Sequence, residues 1–322
     1  MLIVTGATGL LGNTLLRQAL ARGFEATALV RKTSPYQPLE GLECRRIAVD
    51  LVESDLIPLV VGASAVIHCA ARVGIGRSDM AAFRRDNALA TARLAAACRA
   101  SGVRLVHVST VDTLVWGTRE APGAGDPAPP HALDTAYAAS KREAEAAVLA
   151  EADRGLDAVI VHPGFLLGPW DWKPSSGRLM LAACRGPMSL APPGGNDFCH
   201  AGDVAAAILT AAGSAPSGSR HVLSGEALTY AEAFWQMRRV AGRGGPVPTA
   251  PAALVMAAGR AGDLLGRLTG REPELNSASA AISCLPHHFS SAKAMQELGY
   301  APRPAVEAFR DAWTWFRERG YA

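Results

Sequence analysis

Leu2-Ile3-Val4-Thr5-Gly6-Ala7-Thr8-Gly9-Leu10-Leu11-Gly12 lies at the start of the chain, and its reading decides the fold. Residues 2–5 are apolar or β-branched and read as a short buried strand. Three glycines at three-residue spacing make a turn, and the leucines begin a helix. Such a turn lets backbone amides approach a pyrophosphate at the positive helix N-terminus. The spacing is G-x-x-G-x-x-G rather than G-x-G-x-x-G, and glycine triplets also occur in plain turns, so the surrounding pattern has to decide.

That pattern is a repeat of strand and helix. Short apolar runs at 2–5, 26–30, 46–49, 65–69, 105–109 and 158–162 alternate with helical patterns such as 11–22, 80–100 and 135–154. Strands apolar throughout belong to a parallel sheet covered on both faces. Gly23, Gly102 and Gly155 each follow a helical stretch, where a helix-ending glycine belongs. Beyond Pro163 the rhythm changes to aromatic and Gly/Pro-rich segments. The predicted division is therefore a nucleotide-binding domain over 1–163, with 204–225 returning to it through a strand at 221–224, and a mainly substrate-binding unit over 164–322. Residues 252–268 and 305–319 have helical patterning.

Composition bounds the function. With 322 residues, 49% hydrophobic and 19% charged, the chain is an ordinary globular protein of about two domains. A net charge of +3 and the lack of any block of like charges argue against nucleic acid as a partner. The six cysteines form no C-x-x-C pair, which predicts neither a disulfide framework nor a metal site and fits the cytoplasm. No secretory leader is expected. The longest uncharged apolar run, 57–71, is interrupted by Pro58, Gly62 and His68, so no membrane association is expected either.

The second strand ends at Val30-Arg31-Lys32. A carboxylate there would accept a ribose 2′-hydroxyl; two cations suit a 2′-phosphate, which favours NADP(H) over NAD(H). Asp50-Leu51 closes the third strand where a carboxylate can reach an adenine amino group, or cap the helix that follows. Tyr137-Ala138-Ala139-Ser140-Lys141 puts a phenol and an ammonium on one helix face. A neighbouring positive charge is what a tyrosine needs to exchange protons near neutrality. Ser109-Thr110 ends the fifth strand at the carboxyl edge of the sheet. Hydroxyl, phenol and ammonium together form a set that polarises a carbonyl during hydride transfer.

With these residues in place the whole chain resembles the extended short-chain dehydrogenase/reductase (NAD-dependent epimerase/dehydratase) family, in its dihydroflavonol-reductase-like and 3β-hydroxysteroid-dehydrogenase-like branch. The matching stretches are residues 5–12, Arg31, Asp50-Leu51, His68-Cys69-Ala70-Ala71, Asn87, Ser109-Thr110, residues 137–141, Pro163-Gly164 with Gly168-Pro169, and Lys293 with Glu297-Leu298-Gly299-Tyr300. The resemblance implies a doubly wound parallel sheet (Rossmann fold) with a smaller C-terminal substrate domain. It implies that Gly6, Thr8, Gly9, Leu10 and Leu11 line the pyrophosphate, Arg31 and Lys32 the 2′-phosphate, and Asp50 and Leu51 the adenine. Ala70 and Ala71 would flank the ribose, and Pro163, Gly164 and Leu166 the nicotinamide. Asn87 would touch the cofactor or cap a helix. Thr110 aligns with the catalytic hydroxyl; Ser109 is the alternative, because a one-residue slip reverses the strand face. A homodimer through the two long central helices is a family expectation.

Dehydratases of the family carry Thr-Asp-Glu where this chain has Thr110-Val111-Asp112-Thr113, which disfavours dehydration. Epimerases carry Tyr-Gly-Pro where it has Leu167-Gly168-Pro169, and a basic clamp that Arg178 and Arg185 could supply. Val73, Trp116, Phe165, Trp170, Trp172, Met180 and Phe198 suggest an apolar, aromatic-lined pocket, though each could equally be core. The expected activity is an NADP(H)-dependent interconversion of a ketone and a secondary alcohol on an apolar or aromatic small molecule, with Tyr137 exchanging the proton. A cofactor-retaining sugar-nucleotide epimerase is the alternative, followed by a non-enzymatic nucleotide sensor. His287-His288 lacks a third metal ligand nearby, His68 and Cys69 are expected to pack, and 252–268 is read as a solvated helix over the substrate domain in preference to a membrane-surface helix.

Overall fold

The computed structural model describes the 322 residues apart from 75–78, 130–134, 187–188, 270–272 and 274. In the first half the elements are β1 (Leu2–Thr5), α1 (Leu10–Ala21), β2 (Ala26–Val30), β3 (Arg45–Ala48), α2 (Ile57–Val60), β4 (Ala65–His68), α3 (Met80–Phe83), α4 (Ala90–Ala100), β5 (Arg104–Val108), α5 (Ala136–Ala152) and β6 (Ala158–Pro163). The second half adds β7 (Phe165–Leu167), α6 (Gly177–Ala183), β8 (Gly195–His200), α7 (Ala201–Ser214), β9 (Arg220–Leu223), β10 (Glu226–Thr229), α8 (Tyr230–Val240), α9 (Ala252–Thr269), α10 (Ser277–Ser283), β11 (Pro286–His287), α11 (Ala292–Leu298) and α12 (Ala305–Glu318).

Seven strands form one sheet in the order β3-β2-β1-β4-β5-β6-β9, and every pairing is parallel. The chain moves outward from β1 to β3, then starts again on the other side at β4. That reversal opens the crevice in which doubly wound folds bind ligands. Strand alternation splits the core into two layers. Ile3, Val66, Leu105 and Ile160 face α4 and α5, contributing with Leu94 and Val148 to one cluster. Leu2, Ile67, Val106 and Val159 face the other way, against Leu15 of α1 and Ile208 of α7. The helices α1, α4 and α5 are followed by Gly23, Gly102 and Gly155 at φ of 79°, 64° and 99°.

The second sheet is built around β8. β10 runs antiparallel along one edge, while β7 and β11 run parallel to it and share the other. α6, α8 and α12 bury an aromatic cluster against it, including Phe198, Tyr230, Phe234, Phe309 and Phe316. α7, β9 and α11 belong to the larger sheet's layers: β9 is its last strand, and Ala294 and Leu298 of α11 join the cluster beneath α7. The helical stretch 80–100 is not uniform, because a π-helical turn, Arg84–Leu89, separates α3 from α4.

Candidate active site

The carboxyl edge of the large sheet carries the glycine turn. α1 starts on Gly9 with no side-chain cap and no acidic residue in its first turn, so its leading amides are available to an anion. Gly6 has φ of 68°, and a Cβ there would stand 2.7 Å from the Ala70 amide nitrogen; at Gly12 it would stand 2.3 Å from the Gly6 carbonyl oxygen. Those two glycines fold the turn tightly onto the end of β4. A Cβ at Gly9 would meet only the Gly6 oxygen, at 3.5 Å, leaving its outer surface open. This uncapped, open-surfaced turn fits a dinucleotide diphosphate. Leu10 and Leu11 are buried, so they would offer amides rather than side chains, and Thr8 is partly buried. Thr5 Oγ1 lies 2.7 Å from His68 Nδ1 and accepts the Ala70 amide at 3.1 Å, tying the ends of β1 and β4 together.

Arg31 and Lys32 follow β2 with exposed side chains, and Leu51 is partly buried. The Asp50 carboxylate accepts the Val52 amide at 2.8 Å and an Arg85 N–H at 3.1 Å; these bonds hold its pKa below the usual value, that from Val52 most of all. Ala70 is partly buried and Ala71 exposed at the end of β4. Asn87 is not a helix cap. It sits inside the π-helical turn rather than at a helix end, and its buried amide accepts the Arg72 N–H at 2.7 Å while donating to the Arg72 carbonyl at 3.0 Å and to Ser140 Oγ at 2.9 Å. With these three bonds it clamps the loop after β4 to α5.

Thr135 caps α5 by accepting the Ala138 amide at 3.1 Å, which sets Tyr137 and Lys141 on successive turns over the end of β5. Lys141 is 2% exposed and donates to the Val108 carbonyl at 2.7 Å, with His107 Nε2 at 3.4 Å. Burial pushes its ammonium down to about 8, and Glu145 pulls the other way. Burial and then the Asp112 carboxylate raise the pKa of the Tyr137 phenol, while the neighbouring Thr110 hydroxyl lowers it.

Ser109 points the other way. Its hydroxyl donates to Glu145, which also accepts Thr113 Oγ1 at 2.6 Å and Arg220 at 2.8 Å. Adjacent residues of extended backbone face opposite sides, so Ser109 faces Glu145 and Thr110 the side of the phenol. Burial alone would raise the Glu145 carboxyl; contacts from His162, Ser109 and Thr113 outweigh it and hold the group at about 2. Beneath Lys141 the His68 and His107 rings are 5.6 Å apart. Burial lowers both, His68 to about 3. Glu145, His107 and this polar row were not singled out from sequence, although a legible signal existed: Tyr137, Lys141 and Glu145 repeat every four residues, and His68, His107 and His162 close three neighbouring strands.

On the open side, Asp112 Oδ1 lies 3.9 Å from His287 Nδ1, and the Trp116 ring is 5.7 Å from the His287 ring. His287 is 1% exposed, with Nε2 lacking a protein partner; burial lowers its pKa and Asp112 opposes this. Pro163 ends β6, and Gly164, Phe165 and Leu166 are partly buried where β7 meets β8. A Cβ at Gly164 would stand 2.9 Å from the Asp197 carbonyl oxygen, so this join needs glycine.

The aromatic pocket expected from sequence is not assembled as a group. Phe198 is fully buried, its ring 5.2 Å from Phe165 and 5.5 Å from Phe309, and Met180 is buried in the same cluster. The Trp172 ring packs edge-on at 5.3 Å from Trp315. Trp170, with φ of 76°, lies under the Arg17 guanidinium at 3.6 Å, which joins the two layers. These residues are packing elements because β8 is covered on both sides by helices and by β7. Val73 and Arg178 are exposed, as is Arg185; the Arg178 Nε–H reaches the Ser175 carbonyl at 3.4 Å.

Residues 2–223 match the model of the NAD dependent epimerase/dehydratase family. The chain belongs to that family, the extended short-chain dehydrogenase/reductases. It is 33% identical over 323 residues to the Methylococcus capsulatus protein named "Sterol demethylase protein B", covering 99% of this chain and 98% of that one. It is 30% identical over 325 residues to a "Putative dihydroflavonol 4-reductase" of Synechocystis sp., covering 99% and 95%. Among solved structures, the crystal structure of gox2253 superposes with a TM-score of 0.87 at 31% identity, covering 99% of this chain and 98% of that one. A family member with this fold is an extended short-chain dehydrogenase/reductase oxidoreductase that uses a nicotinamide dinucleotide.

Proposed function

We propose that this protein is an NADP(H)-dependent oxidoreductase that interconverts a ketone and a secondary alcohol on an apolar small molecule. The observation carrying the reading is Tyr137 one helical turn before a buried Lys141 that is fixed to the end of β5, with the Thr110 hydroxyl beside the phenol. In reduction the carbonyl oxygen sits between the Thr110 hydroxyl and the Tyr137 phenol, and Tyr137 gives that oxygen its proton. A bound reduced nicotinamide supplies the hydride to the carbonyl carbon. Lys141 steadies the negative charge that develops on the phenol oxygen. Asp112 disfavours that phenolate before substrate binds and keeps Tyr137 a proton donor. Ala70 and Ala71 would flank the ribose, and Arg31 and Lys32 would pair with a 2′-phosphate. Trp116, Phe165 and the edge of His287 form the apolar side toward the substrate. The putting together of a cofactor unit from 1–163 with α7 and β9, and a substrate unit from the remainder, belongs to the same reading.

Parallel fluorescence titrations with NADPH and NADH, followed by the loss of reduced-nicotinamide absorbance across a panel of apolar ketones, test it. Tighter NADPH binding and ketone-dependent consumption are expected, and Arg31→Asp should cut the NADPH preference by roughly tenfold. An unchanged preference overturns the 2′-phosphate assignment. Cofactor binding with no consumption by any ketone turns the reading toward an epimerase that recycles its cofactor.

A further inference from the structure

α9 inverts the usual arrangement of a surface helix. Of its 18 residues only Gly259 is buried, and it meets the rest of the molecule along glycines. A Cβ on Gly259 would stand 2.7 Å from the Ala280 methyl, and one on Gly262 would stand 1.9 Å from the Leu275 carbonyl oxygen. The helix therefore lies close against α10 and the turn before it. On the opposite side Leu254, Ala257, Ala261, Leu264, Leu265 and Leu268 recur at the spacing that lines one helical face. The four leucines are 54%, 59%, 54% and 77% exposed, in that order. Single exposed leucines are ordinary, but a continuous stripe with no cover marks a contact surface. The expectation that 252–268 turns a solvated face outward is thus corrected: its outward face is the apolar one.

The charges of α9 say what covers it. Asp263 turns toward α10, where it accepts the Ser277 amide at 3.0 Å. Arg260 and Arg267, seven residues apart and both exposed, line one edge of the leucine stripe. The outer face of the helix thus carries cations and no carboxylate of its own. A second copy of the same face would offer those arginines nothing of opposite sign, whereas a self-complementary patch needs both signs. An anionic lipid surface offers both things the face asks for, acyl chains for the leucines and phosphates for arginines that reach up from the edge. Among the described residues no helix is long and apolar enough to cross a membrane, so such a helix lies in the interface plane.

We propose that α9 docks this protein peripherally on an anionic lipid bilayer, with its leucines at the headgroup–acyl boundary and Arg260 and Arg267 against lipid phosphates. α10 leads directly from that helix to β11, where His287 stands beside Asp112 at the candidate site. Docking would bring the substrate side of the molecule to the bilayer, where an apolar ketone dissolves. That consequence rests on the functional reading above; the docking itself does not.

The test is flotation of the full chain with phosphatidylcholine vesicles, with and without phosphatidylglycerol, at low and high salt. The protein is expected to float with the phosphatidylglycerol vesicles, less so at high salt. The double variant Leu264→Glu/Leu268→Glu should weaken binding by about tenfold or more. Because both side chains are exposed, its circular dichroism should match that of the wild type. Arg260→Gln/Arg267→Gln should remove most of the dependence on phosphatidylglycerol. Tyr137→Phe should bind vesicles like the wild type, which separates docking from catalysis. No vesicle binding by the wild type, or binding that the double glutamate variant leaves unchanged, overturns the proposal. So does a wild type that self-associates in sedimentation and becomes monomeric in that variant without binding vesicles, since the occupant would then be a second copy.

Discussion

The floor under Lys141 and the outer face of α9 depart from the usual sorting of side chains in opposite directions. In the floor Lys141, His68, His107 and Glu145 are shut away from water, yet most of their polar atoms are held by specific partners: Lys141 by the Val108 carbonyl, His68 by Thr5 and Thr91, and Glu145 by Ser109, Thr113 and Arg220, while His107 Nε2 lies 3.4 Å from Lys141 Nζ and its Nδ1 has no hydrogen-bond partner among the described residues. On α9 four leucines are each more than half exposed. Burying an ion without partners is far more costly than exposing a methyl group, so a fold can leave apolar residues exposed but must complete a buried polar network. The first region is therefore closed and for the most part satisfied from within, and the second is open to something outside the chain. Substitution should expose that difference: in the floor it costs stability and catalysis, and on α9 it changes only association.

Glu145 should give the largest effect on stability. Glu145→Ala leaves the Arg220 guanidinium and the Ser109 hydroxyl without their acceptor, while Thr113 keeps the Thr110 carbonyl, and is expected to cost about 3 kcal/mol, read as a lower thermal midpoint. A loss no greater than that of an exposed glutamate would contradict the closed-network reading. The linkage has a definite sign. The native carboxyl is held at about 2, below its ordinary value of 4.5, so its contribution is present above the higher value and disappears as pH falls toward the lower one. Glu145→Gln should flatten the acid side of the stability profile over that window.

Ser109 and Thr110 give a finer test, since neighbours in sequence face different partners. Thr110→Ala should lower kcat by roughly tenfold to a hundredfold while leaving the fold intact. Ser109→Ala should cost about 1 kcal/mol of stability with little change in kcat. The reverse ranking would mean that the strand presents its other face to the substrate. A smaller effect is the pH dependence of reduction. The Lys141 ammonium is lowered to about 8, so kcat/KM for ketone reduction should be level below that pH and fall above it as the charge is lost. A profile that rises through this range would contradict the role of the charged form.

The large sheet was legible because most of its strands are apolar runs and glycines end the helices between them; β3 (Arg45-Arg46-Ile47-Ala48) and β9 (Arg220-His221-Val222-Leu223) are half polar. β1 and β2 lie where the pattern puts them, and other strand ends shift by a residue or so. β8 was not legible. Its sequence, Gly195-Asn196-Asp197-Phe198-Cys199-His200, is half polar yet fully buried, because Asp197 finds partners far away in sequence, in Ser224, His288 and the Phe289 amide. No local pattern announces bonds of that span. The same blindness affected the aromatic residues: composition cannot distinguish a pocket wall from a core, and Phe198 proved to be core while Trp172, partly buried, packs against it. Tyr137, Lys141 and Thr110 could be singled out because helix spacing and strand ends are local properties. Glu145 lay one turn further along the same face and needed only the same rule applied once more.

The measurement that tests the central claim most directly pairs cofactor titration with turnover in Tyr137→Phe. Removing one hydroxyl deletes the proposed proton donor and leaves the glycine turn, Arg31 and Lys141 in place. The account predicts NADPH affinity within about twofold of the wild type and a fall in ketone-dependent oxidation of at least about a hundredfold. Turnover close to that of the wild type would contradict it and place the proton donor elsewhere.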